Sequence, residues 1–431
     1  MDIQVARFRE VLGLLKPVIP RKTAIEALNY VLLKDGQAVA TDLDTMVIVR
    51  VPEVDTDCLI PYTDVVNMIQ YIQGMEYLHI EPKNGKITMS WSEGSSTFLT
   101  KDVRDFPDVP EFVPVAEAPI DIDTLIPAMY EALGFAARET DRPVLNAVTL
   151  VLGESIAVAA GDGFQMAYKD LPLSFPQESI SLVPLVSVTA LKMLWEKTPR
   201  TPPVSDSLIP VIMAKKQATV ALDGKKGLRF VFGDSTTAIV KLIDGDPPAW
   251  LKLIPKEEPT VTASLMGSQL ELAVRRVLKL AMEGSKIVRM VFNDDTATIS
   301  AKHDGQEVES TVKVMAEQGT QGKVGLNASF LLDYLKGKEG IVTISWVNEG
   351  SPVSFKHQGS PTVLIMPMMV DWDNTAPKAE VEAEVESEVE SEAETEPESS
   401  ASPAGVVAEE ETPPTPPVKA AKSPKRRGKA K

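Results

Sequence analysis

The chain has 431 residues, 44% of them apolar and 24% charged, and a net charge of −17. A single cysteine, Cys58, excludes an internal disulfide framework and a cysteine-based zinc site, and three scattered histidines, His79, His303 and His357, argue against a histidine metal centre or a Ser-His-Asp triad. No apolar run of about eighteen residues and no basic-then-apolar opening is present, so a cytoplasmic chain without membrane contact is expected.

In chain order, apolar residues at helical spacing predict a first amphipathic helix over Val5–Leu15. Residues 38–49 read as a strand, an acidic turn at Asp42 and Asp44, and a second strand. Residues 59–72 read as an extended entry through Pro61 into another helix, and Val-Arg-Asp-Phe-Pro-Asp (103–108) closes the unit. The same succession then returns. A helix is predicted over Ile122–Phe135, a strand, turn at Asp162 and strand over 157–168, and a helix entry through Pro184 over 182–195. A closing phrase of the same kind follows at 243–250. A third unit has a helix over Ser268–Met282 and a helix entry through Asn327 over 324–335. Repeats of this size are domains. The reading is α+β, with three domains at 1–117, 118–256 and 257–371 and a low-complexity tail from 372 to 431.

Arg21-Lys22-Thr23, Leu28, Val31-Leu32-Leu33 and Thr41-Asp42-Leu43-Asp44 resemble the first-domain signature of the bacterial β sliding clamps, the β subunits of DNA polymerase III. Arg142-Pro143-Val144-Leu145-Asn146 with Asp162-Gly163 resembles the second-domain signature, and Met366-Pro367-Met368 the family's closing phrase. The resemblance spans residues 1–370. It implies three repeated clamp domains in a head-to-tail dimeric ring, helices lining the channel and sheets outside. It also implies a non-catalytic processivity factor, without cofactor or metal, that encircles duplex DNA regardless of sequence. The partners implied are the replicative polymerase, an ATP-driven clamp loader and clamp-binding repair proteins.

Residue by residue, the resemblance implies DNA contacts at Arg21, Lys22, Arg138 and Arg142. Arg275, Arg276 and Lys279 join them because they share a helix face at i, i+3 and i+4 spacing. The family's partner-peptide groove, between the second and third domains, carries over to Leu145, Gly161, Gly163, Phe164, Gln165, Met166, Pro248, Lys252, Leu253, Asn327, Phe330, Pro352, Met366, Pro367, Met368 and Met369. Flexible methionines suit a surface that several ligands share. Phe98 and Leu280 match the dimer interface by position. The chain departs from the family where Thr-Asp-Gly-His-Arg-Leu is usual and Gly161-Asp162-Gly163-Phe164-Gln165-Met166 stands here, so a more apolar groove is expected.

Residues 371–431 hold fifteen acids and eight bases, leaving −10 for the rest of the chain. A body of that charge suits a base-lined channel inside an acidic exterior better than an outer DNA-binding patch. The tail alternates Glu with small residues over 380–398, turns proline-rich at 412–417 and ends basic at 419–431. Such a composition buries too little apolar area to order, which reads as disorder. An acidic scaffold or chaperone-like protein acting through this tail is the alternative. A carboxylate hydrolase built on Asp42 and Asp44 is disfavoured, because an acid turn in the same place of the next unit is turn chemistry.

Overall fold

Three times the chain runs through one order of elements: strand, helix, four strands, helix, three strands. The computed structural model describes residues 1–138, 142–198, 216–224, 226–315 and 321–372. The expectations for the tail beyond Trp372 lie outside these residues. The first repeat comprises β1 (Asp2–Gln4), α1 (Val5–Leu15), β2 (Tyr30–Lys34), β3 (Gln37–Thr41), β4 (Thr45–Arg50), β5 (Cys58–Pro61), α2 (Tyr62–Ile69), β6 (Tyr77–Lys83), β7 (Lys86–Trp91) and β8 (Gly94–Leu99). The second comprises β9 (Ala116–Asp121), α3 (Ile122–Leu133), β10 (Ala147–Leu152), β11 (Ile156–Gly161), β12 (Gln165–Leu171), β13 (Ser179–Pro184), α4 (Leu185–Lys197), β14 (Gln217–Asp223), β15 (Gly227–Phe232) and β16 (Thr236–Lys241). The third comprises β17 (Val261–Met266), α5 (Gly267–Glu283), β18 (Ile287–Asn293), β19 (Thr296–His303), β20 (Gln306–Lys313), β21 (Gly322–Asn327), α6 (Ala328–Leu335), β22 (Ile341–Trp346), β23 (Val353–His357) and β24 (Thr362–Ile365).

Local chemistry explains the helix starts. Pro61 and Pro184 each end a strand and occupy the N-cap position of α2 and α4. Asn327 caps α6 by accepting from the Ser329 N–H at 2.9 Å, and Asp121 caps α3 by accepting from the Asp123 N–H at 3.0 Å. Helix α3 stops at Leu133, two residues short of the expected Phe135, with Gly134 at its C-cap.

Each repeat supplies two half-sheets, and the half-sheets of neighbouring repeats fuse. One eight-stranded sheet runs β5-β2-β3-β4-β16-β15-β14-β9, the other β13-β10-β11-β12-β24-β23-β22-β17. The seams are the antiparallel pairs β4 with β16 and β12 with β24. Two four-stranded sheets remain, β1-β6-β7-β8 and β20-β19-β18-β21. Strand periodicity then sorts the side chains. Val31 and Leu33 on β2, and Val47 and Val49 on β4, enter the large core that the helices cover. Leu32 and Met46 point the other way, into a small cluster closed by Phe106. On β11 and β12 the pattern repeats, with Val158, Ala160 and Ala167 in the large core and Ala159 and Met166 under Trp250. The connecting segments therefore lie over the sheet face opposite the helices.

A buried hydroxyl pair ties the first seam to the helical side: Thr45 Oγ1 donates to Ser187 Oγ at 2.7 Å. Thr45→Val should strand the fully buried Ser187 hydroxyl and lower stability by about 1–3 kcal/mol. Adding Ser187→Ala should return part of that loss. Denaturant unfolding of the two variants checks both outcomes.

Candidate functional site

A cleft of about 190 Å³ opens at the second seam. Its first wall is the turn between β11 and β12. Asp162 Oδ1 accepts from the N–H groups of Phe164 (2.8 Å) and Gln165 (2.9 Å), and Gly163 takes φ +99°. This turn lifts Phe164 out to 63% exposure, with its ring stacked 6.3 Å from that of Phe330 on α6. The second wall is the connecting segment, where Trp250 and Leu253 face Pro352 and Met366 across the seam. Gly161 is needed here because a Cβ would stand 2.7 Å from the Gln165 carbonyl and 3.0 Å from the Trp250 ring.

Beyond β24, the Met366 N–H donates to the Phe164 carbonyl and the Met368 N–H to the Gly325 carbonyl, both at 2.8 Å. The closing phrase thus crosses from β12 to β21, and a Cβ at Gly325 would collide with Val370. Met366, Met368 and Met369 remain exposed along it, and Pro367 is half-buried. Just past α6, burial pulls the Lys338 ammonium below its usual value, which the Glu131 carboxylate opposes, and Lys338 donates to Ser360 Oγ at 2.7 Å.

Of the sixteen residues carried over to the groove, Gly163, Phe164, Gln165, Met166, Leu253, Pro352 and Met366 line this cleft. Leu145 does not: it packs beneath, against the Trp250 cluster. Pro248 shapes the connecting turn, its carbonyl accepting from the Trp250 N–H at 2.8 Å, and Lys252 is exposed beside it. Asn327 serves as a helix cap. Two lining residues lie outside the sequence expectation, Trp250 and Leu364. The Trp250 indole N–H donates to Thr149 Oγ1 at 3.0 Å, so only its ring is offered to the cleft. Its place in the closing phrase at 243–250 is the signal that could have found it.

The expected basic face is more neutral than its sequence. Arg275 donates to Glu271 Oε1 at 2.7 Å, Lys279 lies 3.9 Å from Glu283, and Arg276 donates to Ser310 Oγ at 3.0 Å. Arg21, Lys22, Arg138 and Arg142 are exposed and carry no ion pair among the described residues. Phe98 is half-buried on β8, while Leu280 is only 7% exposed and sits in the core. Among the described residues, no group of three or more His, Cys, Asp or Glu side chains comes together to hold a metal ion.

Residues 251–369 match the family described as DNA polymerase III beta subunit, C-terminal domain. The chain is 24% identical over 371 residues to the beta sliding clamp of Chlamydia pneumoniae, a match covering 83% of this chain and 96% of that protein. Over its last described third the chain matches that family, and over most of its length it is similar to the bacterial beta sliding clamps. Its fold matches crystal structures of bacterial clamps over 86% of this chain. The Pseudomonas aeruginosa clamp bound to griselimycin aligns with a TM-score of 0.72 at 21% identity, covering 86% of this chain and 99% of that one. The Thermotoga maritima beta subunit gives 0.72 at 19% identity over the same shares.

Within this clamp fold position 161 leaves no room for a β-carbon. Gly161→Ala should force the turn from Trp250 at a cost of roughly 1–3 kcal/mol. A shift of Trp250 fluorescence together with a lowered unfolding midpoint is the expected signature.

Proposed function

We propose that this chain is a DNA sliding clamp, a non-catalytic processivity factor that encircles duplex DNA in the cytoplasm and tethers the replicative polymerase. The clamp loader and repair proteins would share the groove at the second seam. The three clamp domains are read at 1–117, 118–256 and 257–371. The observation that carries the reading is the pattern of seams. In each, the last strand of one repeat's first half-sheet (β4, β12) pairs with the last strand of the next repeat's second half-sheet (β16, β24). By the same rule β20 needs β8, and both are outer strands of the four-stranded sheets. Free strand edges favour pairing with another chain. A second copy, head to tail, supplies each missing partner and closes a ring of six domains.

Strand β8, Gly-Ser-Ser-Thr-Phe-Leu, has no charged residue, whereas β20 carries Glu307 and Glu309. Closure in this chain therefore relies on backbone hydrogen bonds and apolar packing, with Leu99 and Val308 exposed on the two edges. Sedimentation should give the mass of two chains, little changed between about 50 and 500 mM salt, since screening acts on charges. Replacing Thr97 and Leu99 by Glu sets like charges against Glu307 and Glu309 and should give single chains. A dimer that survives this replacement would place closure elsewhere.

Inside the ring, the loop bases Arg21, Lys22, Arg138 and Arg142 are the best phosphate ligands. Reversing all four to Glu should leave the dimer intact and weaken DNA retention on closed circles at least tenfold. It should also flatten the slope of log affinity against log salt by about 0.9 for every phosphate no longer neutralised. Equal retention on linear and closed DNA would sink the sliding reading. At the groove, a peptide burying a Leu and an aromatic ring gains roughly 3–6 kcal/mol before ordering costs, so micromolar affinity is expected. Phe164→Ala with Leu253→Asp alters exposed walls and should abolish binding with the dimer intact. Leu145→Asp should unfold the cluster beneath. Anisotropy titration of such a peptide against the variants distinguishes the two.

A further inference from the structure

The first seam carries a cleft of its own, of about 330 Å³. It is built as the peptide groove is built. Asp42 Oδ1 accepts from the N–H groups of Asp44 (3.0 Å) and Thr45 (2.7 Å), repeating the turn at Asp162. The Lys241 N–H donates to the Asp44 carbonyl at 2.8 Å, as the Met366 N–H does to that of Phe164. Ile239 pairs with Met46 as Leu364 pairs with Met166. The connecting segment closes both, through Phe112 and Pro110 here and through Trp250 and Leu253 there.

Two features differ, and they define a ligand. Leu43 holds the place of Gly163 at φ +80°, a conformation costly for leucine, and stands 48% exposed at the mouth. Asp44 holds the place of Phe164, and with Asp108, Glu111 and Asp223 it sets four carboxylates around the cleft against Lys226 and Lys241. None of these six is in an ion pair among the described residues. The floor stays apolar, with Met46, Ile239 and Phe112.

We propose that this cleft is a second peptide site, which takes a short extended segment of a partner protein bearing one large apolar side chain flanked by lysine or arginine. The apolar side chain fills the floor under Leu43, and the flanking cations meet the unpaired carboxylates. The site goes beyond the groove and ring described above and does not depend on DNA or on closure.

The probe is a fluorescein-labelled peptide Lys-Arg-Ser-Leu-Phe-Arg-Lys, with Glu-Asp-Ser-Leu-Phe-Asp-Glu as its acidic twin, titrated by anisotropy against the full chain. The basic probe should saturate, and the acidic twin should bind at least about tenfold more weakly. Asp108→Lys with Glu111→Lys, both on the exposed connecting segment, should invert that order, a gain that misfolding does not produce. Leu43→Gly relieves the backbone and should still weaken the basic probe several-fold. Phe164→Ala with Leu253→Asp should leave it unchanged. Failure to saturate by about 1 mM, no preference between the twins, or loss in the Phe164 variant in place of the Leu43 variant each overturns the proposal.

Discussion

Unpaired strand edges govern this molecule. A half-sheet of four strands ends in a row of N–H and C=O groups that need partners, and an edge left open is a template for further pairing. The chain meets the need by fusing half-sheets across repeats, at β4 with β16 and β12 with β24. Each fusion also makes a recess. The turn entering the seam strand has to hand a carbonyl to the neighbouring strand, from Asp44 to Lys241 and from Phe164 to Met366. The connecting segment, crossing the outer face to reach the next repeat, leaves a cleft against that turn. Clefts at the seams are thus a by-product of edge pairing, and side chains at a few positions decide what each one accepts.

What was legible in the sequence was the local chemistry. The acid turns at Asp42 and Asp162, the proline entries at 61 and 184 and the Asn327 cap all act within a few residues, so their repetition exposed the repeat, and the three opening helices fall within two residues of their expected bounds. Long-range pairing was not legible. Nothing near Met46 says that it will lie opposite Ile239, nearly two hundred residues on. For the same reason Leu364 in the groove is invisible to sequence reasoning: it is there because β24 pairs with β12. Trp250 reads as part of a closing phrase, although a large ring at a connecting segment is the natural wall of a cleft. Resemblance puts Leu145 in the groove, but a neighbour in sequence to the groove's motif is here a support beneath it.

Charge pattern misleads in a more instructive way. Arg275 and Lys279 do share a face of α5, but Glu271 and Glu283 stand four residues from them and pair with them. Lys192 with Glu196 repeats the arrangement on α4, and Arg7 pairs with Glu10, three residues on, on α1. Exposed pairs of this kind contribute little stability. Their effect is to cancel field, and a helical face that looks basic by counting cations alone is close to neutral.

Arg21, Lys22, Arg138 and Arg142, the exposed bases expected at DNA, are in no ion pair among the described residues. Four such charges, each worth about 1 kcal/mol against a phosphate in water and screened beyond about 8 Å, cannot hold a duplex statically. In the clamp we propose, DNA is therefore retained by enclosure. The demand then falls back on the two strand edges, β8 and β20, that no other strand of the same chain covers among the described residues. In the ring we propose, with no charge on β8 to help, the backbone pairing of those edges would set how firmly it closes.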